Sequence, residues 1–152
     1  MINKCFHGNG VNLLNSLPKA IKFSMNRTLT QMGNKMNDHV REEFLKPKSG
    51  RLYREVVSSR TNQIKFNHKA SAIGESPANM FGDLSASIHY DVQGGRWMQW
   101  GVSEDVYGVK YGARLEECMN RPYLKPTVEL YEHEFTDEFV RILDGRIKNA
   151  IR

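Results

Sequence analysis

Eight apolar residues early in the chain, Leu17, Ile21, Met25, Leu29, Met32, Met36, Val40 and Phe44, recur at steps of four and once of three. That spacing keeps side chains on one face of an α-helix and suits neither a strand nor a loop. It predicts one long amphipathic helix. Ser16 is placed to cap its start, with Pro18 in the first turn, where a missing N–H costs nothing. Lys46-Pro47 stops it, because the residue before a proline is pushed out of the α region. A helix of roughly 28 residues runs about 42 Å, longer than the core of a 152-residue chain requires. Part of the apolar face is therefore a candidate for burial by a neighbouring subunit. Its methionines suit either ordinary core filling or an adaptable binding surface.

The segments on either side read differently. Residues 1–15 are polar with Gly8 and Gly10, and are expected to form a flexible or docking arm ahead of a single domain over residues 16–152. Beyond Ser49-Gly50, Ile64, Phe66 and His68 alternate with Lys65, Asn67 and Lys69, the period of a half-exposed strand. Residues 70–83 are rich in Ala, Ser, Gly and Pro and predict a loop. Ile88, Tyr90 and Val92 alternate again and meet Gly94-Gly95, which predicts a two-residue hairpin turn into a return strand, Trp97–Val102. A short helix is expected from about Tyr111. Asn120-Arg121-Pro122 then opens a second long helix with Leu124, Val128, Tyr131, Phe135, Phe139 and Ile142 on its inner face. Gly145 is expected to end it, leaving a basic tail. Helix, strands, helix is an α+β order, with a small, mainly antiparallel β-sheet covered by two helices.

Charge is unevenly spread. Residues 1–60 hold eleven Lys/Arg against four Asp/Glu, and the remainder eleven against thirteen. A basic half joined to a mildly acidic half suits nearby nucleic acid, head-to-tail contact between copies, or ordinary solvated faces. Hydrophobic residues at 39% and charged residues at 26% argue against a membrane protein and against a wholly disordered chain. No window approaches the roughly 18 apolar residues of a bilayer span, and the N-terminus lacks the apolar stretch of a secretory signal. The chain is expected to stay in the compartment where it is made, with Cys5 and Cys118 as free thiols.

Chemistry-bearing constellations are sparse. Gly8-Asn9-Gly10 lacks the later glycine and preceding strand of a dinucleotide site, and there is no Gly-x-Ser-x-Gly elbow. Cys5 and His7 supply only two metal ligands, while His39, His68, His89 and His133 are scattered. The adjacent carboxylates Glu42-Glu43, Glu104-Asp105 and Glu116-Glu117 splay apart on either regular structure. Glu129, Glu132, Glu134, Asp137 and Glu138 read as a solvated helix face. The expectation is a non-enzymatic protein without cofactor or metal. Lys46, Lys48, Arg51 and Arg54, with Tyr53 among them, plus Lys65 and Lys69, are candidate phosphate contacts that read no sequence, or simply a solubilising basic loop.

Three separated segments carry a resemblance. The first runs Lys69-Ala-Ser-Ala-Ile-Gly-Glu-Ser-Pro-Ala78 and continues as Gly82-Asp-Leu-Ser-Ala-Ser-Ile88. The second is Tyr111-Gly-Ala-Arg-Leu-Glu116, and the third is Arg121-Pro-Tyr-Leu-Lys-Pro126. In this order and spacing they resemble the neck and tail-completion proteins of tailed bacteriophages, the family typified by the tenth-gene product of a lambda-like siphophage. The match covers roughly residues 49–130. It departs where Glu116 is followed by Glu117-Cys118-Met119 rather than an aromatic and Gly-Thr, and where Tyr123 replaces the common Phe.

The resemblance implies a structural virion protein at the head–tail junction. Six copies would form a ring around the DNA channel, meeting neighbouring neck, connector and tail-tube proteins, with non-specific DNA contact in the channel and no membrane. Such a protein would be made in the host cytoplasm and reside in the virion. A tail terminator or head-closure adaptor ring is the alternative in the same class, and a sequence-independent DNA-binding protein the alternative in another. The residues singled out for loop shape or subunit contact are Gly74, Glu75, Pro77, Gly82, Leu84, Glu116, Arg121 and Pro122. Among these, Gly74, Pro77 and Gly82 are expected to fix unusual backbone shapes, Asp83 or a nearby Ser to cap a turn, and Arg121 to reach Glu116.

Overall fold

A computed structural model describes residues 9–58, 61–103 and 112–151. In chain order it has α1 (Asn9–Leu45), β1 (Leu52–Val57), β2 (Ile64–Lys69), α2 (Asp83–Ser87), β3 (Ile88–Gln93), β4 (Trp97–Val102), α3 (Gly112–Glu117) and α4 (Leu124–Ile151). The class is α+β, with two long helices and two small antiparallel sheets.

The apolar stripe of α1 behaves as its spacing predicts over its C-terminal half. Leu29, Met32, Met36, Val40 and Phe44 are buried, whereas Ile21 nearer the start is 45% exposed. The helix begins at Asn9 rather than after Ser16, so residues 9–15 of the expected arm are helical, and Pro18 lies inside the helix. Proline removes one i→i−4 hydrogen bond, yet its fixed φ is itself helical. At 37 residues α1 spans about 56 Å.

Helix α4 runs back along α1. Phe44 meets Tyr123, His39 meets Tyr131, Lys35 bonds Glu134, and Arg146 stacks 3.7 Å over Phe23. One number rises as the other falls, so the pair is antiparallel. The expected inner face is buried or half-buried except at Val128. Gly145 does not end the helix, which continues to Ile151. A helical glycine costs about 1 kcal/mol, less than the rest of the helix recovers by packing on α1.

Two separate two-stranded sheets replace the single expected one, because β2 pairs with β1 and not with β3. His68 and His89, on those two strands, therefore do not meet. The β3–β4 hairpin lies on α1. Tyr90 rests against Gly33, where a methyl group would sit 2.5 Å from the ring, and donates to Asn34 at 2.9 Å. Trp100 Nε1 donates to buried Asn37 at 2.8 Å. At the tip Gly94 and Gly95 both have positive φ, as a type I′ turn demands. The ladder resumes at Gln93 opposite Trp97, so the loop holds three residues rather than two, Arg96 being the extra one. Val40, Phe44, Leu84, Ile88 and Tyr123 form the central core, capped by Trp100, Val102, Leu115 and Leu124.

Candidate functional site

The three segments that carry the resemblance converge around the loop at residues 70–83. Gly74 and Gly82 adopt φ of 85° and 87°, a region that only glycine enters without strain. Between them Pro77 is buried, and Leu84 just beyond joins the core. Glu75 closes the loop on itself and on the end of α1. Its carboxylate accepts from the Ala72 amide at 2.8 Å and from the amide and hydroxyl of Ser49. These bonds, the Ser49 hydroxyl foremost, hold the Glu75 carboxyl down to about 2.

The loop is also tied to the turn before α4. Gly74 N donates to Asn120 O at 2.7 Å, and Arg121 Nη2 donates to Ser71 O at 3.1 Å. Arg121 does not pair with Glu116 as the sequence suggested. Glu116 instead accepts from the amides of Tyr123, Leu124 and Lys125, the unpaired donors at the start of α4. Pro122 sits half-buried between the two. The N-cap of α2 is Gly82, with no side-chain cap bond of its own. The carbonyl of the left-handed Gly82 accepts from Ala86 N, and the Ser87 hydroxyl donates to Leu84 O at 2.8 Å.

The basic candidates divide. Lys46 pairs with Glu43. Lys48 donates to the carbonyl of Glu43 at 2.8 Å and to Ser76 Oγ at 2.6 Å, closing the C-terminal end of α1, and burial pushes its pKa down. Lys65 donates to Met80 O at 2.7 Å. Arg51 stacks on Tyr53 at 5.4 Å. Arg54 and Lys69 are exposed and find no partner among the described residues. Four of the six thus have a partner within the chain.

Sequence reasoning did not find β1 or the surface it makes. The β1–β2 hairpin packs chiefly on itself, and its large apolar side chains stay in solvent: Leu52, Tyr53, Val57 and Ile64 are 41–54% exposed and Phe66 is 66%. Ile73 on the adjoining loop is 79% exposed. Under the hairpin lies a cavity of about 510 Å³, lined by Tyr53, Val56, His68, Phe81, Leu115 and Arg121 among others. His68 is buried there, and desolvation with help from Lys65 lowers its pKa. The signal available in sequence was the run of apolar and charged residues from Leu52 to Val57, which lacks strict alternation because both faces are wet.

Among the described residues no three His, Cys, Asp or Glu side chains gather as a metal would need, and no helix is long and apolar enough to cross a membrane. Cys5, His7 and the Glu104-Asp105 pair lie outside the described residues. What the assembled site does chemically is fix backbone shape: the side chains of Glu75, Ser76, Glu116 and Arg121 each bond a backbone amide or carbonyl. No family model, curated protein or solved structure matches this chain.

Proposed function

We propose that this chain is a non-enzymatic structural protein of a tailed-phage neck, a tail-completion or head–tail joining component that assembles as a ring around the DNA channel. The observation that carries the reading is the β1–β2 hairpin. An isolated two-stranded hairpin is marginal in water and its strand edges invite pairing. This one carries five large apolar side chains at least two-fifths exposed, the state of a surface meant to be covered by another chain. Ile21, exposed in the N-terminal part of the α1 stripe, adds to it. The inward-turned polar residues of the loop and of the α4 entry support a rigid frame for that hairpin rather than a reactive centre.

Six copies would suit the symmetry of a tail tube, a number that comes from the resemblance. The test is an electron-microscopy reconstruction of the particle neck with this chain traced. A ring of the chain at the junction is the expected result, and purified particles lacking the chain would sink the reading. The same map separates tail completion from a tail terminator or head-closure adaptor.

A second reading, sequence-independent DNA binding, draws on Arg54 and Lys69, whose charges are unpaired among the described residues. It requires that the monomer hold duplex DNA with an affinity falling steeply as salt rises. No measurable affinity at physiological salt would remove it.

A further inference from the structure

Two exposed surfaces of this chain are opposite in charge and alike in apolar content. The described part of the hairpin segment, residues 51–69, holds Arg51, Arg54, Lys65 and Lys69 against Glu55 alone. Leu52, Val57, Ile64 and Phe66 stand among them in solvent. On α4, residues 129–140 carry five Asp/Glu and no Lys/Arg. Glu134 and Glu138 turn toward Lys35 and Arg141. Toward solvent the helix shows Leu130, His133, Asp137 and Val140, all exposed and three or four residues apart, with exposed Glu129 one turn before His133 and paired to Lys125 at 3.8 Å. Leu130 and Val140 are 52% and 55% exposed and lie outside the core.

We infer that the β1–β2 hairpin of one copy seats on the outer α4 stripe, Glu129 to Val140, of a second copy. The inference rests on the ring reading above and names its two surfaces. The lengths agree: a six-residue strand spans about 20 Å, and the stripe about 16 Å. Burying apolar side chains supplies the affinity, while opposite charge sets the orientation and rejects wrong partners. A hairpin laid on another hairpin would bring the same cations together, and α4 on α4 the same acids, so the symmetric alternatives are disfavoured. A contact between two different patches is heterologous and repeats from copy to copy until a ring closes.

The test uses the full chain with Phe66→Asp and Leu130→Asp, both at exposed positions, each checked for wild-type circular dichroism. Sedimentation should show wild-type mass growing with concentration and each variant monomeric at concentrations about tenfold higher. An equimolar mixture of the two variants should give a dimer and nothing larger, because one intact hairpin meets one intact stripe and both outer ends are dead. A mixture that stays monomeric overturns the pairing. Variants that assemble like wild type show that other surfaces join the copies, which overturns the pairing and leaves the neck reading standing. A wild-type chain that stays monomeric yet is found in particle necks does the same. A monomer that instead retains duplex DNA, and loses it on Arg54→Glu, assigns the hairpin to phosphates and overturns both.

Discussion

The carboxylate of Glu116 lies 2.7 Å from the amide nitrogen of Tyr123, and the same side chain reaches the amides of Leu124 and Lys125 at 3.0 Å. A residue from the preceding short helix thus satisfies three donors that α4 leaves unpaired, and adds a negative charge at the positive end of its dipole. Tyr123 in turn packs on Phe44 in the core, so the cap also fixes where α4 meets α1. Glu116→Ala should cost about 1–2 kcal/mol, read as a lower urea midpoint with unchanged slope. A loss below a few tenths would show that water replaces the cap.

Glu75 makes stability depend on pH. Its carboxyl titrates near 2 in the fold against 4.5 ordinarily. A depressed folded pKa means stabilisation present in full above about pH 4.5 and lost as pH falls toward 2. Glu75→Gln should be less stable than wild type at neutral pH and lose less between those limits. Urea midpoints measured across that range should converge at the acid end. Parallel curves would contradict the assignment.

Gly33 has no room for a methyl group, since the Tyr90 ring occupies the space 2.5 Å away. Alanine would gain up to about 1 kcal/mol of helix propensity but force the ring or the helix to move, an overpacking cost of about 1–3 kcal/mol. A net loss is expected for Gly33→Ala. In a double-mutant cycle with Tyr90→Ala the loss should vanish or reverse, a coupling that separates a local clash from a general helix effect. An additive cycle would rule the clash out.

Asn37 is buried in α1 and accepts from the indole N–H of Trp100. Asn37→Leu removes that acceptor and should cost about 1–2 kcal/mol. The partner change Trp100→Phe, which removes the donor as well, should recover part of it. Thermal unfolding of the two single variants and the double variant measures this directly.

What the sequence made legible follows from how local each signal is. The α1 stripe and the β3–β4 alternation are short-period patterns, and both elements form where they indicate. Gly94-Gly95 marks the turn, but the loop holds three residues where two were expected. Failures came where the deciding partner is distant. β1 exists because β2 pairs with it, and nothing in Leu52–Val57 alone says so. Arg121 was matched to a nearby carboxylate, but its partner is a carbonyl fifty residues back. Pro18 and Gly145 were read as helix punctuation, yet both sit inside helices. For the site, the glycines of the loop were legible because positive φ needs glycine. The inward use of Glu75, Glu116 and Lys48 was not, because exposed charge and buried anchor look alike in a sequence.

The joints at the base of the β1–β2 hairpin also have a mechanical meaning. Gly50 N bonds Ala70 O, Ser49 is pinned by Glu75, Ser71 holds Arg121, and Gly74 holds Asn120. Force applied at the hairpin tip therefore divides between two struts, one entering the end of α1 through Ser49 and the other entering the start of α4 through Asn120 and Arg121. Both struts end on helices that lie against each other, so a pull on the hairpin loads the helix pair as a unit.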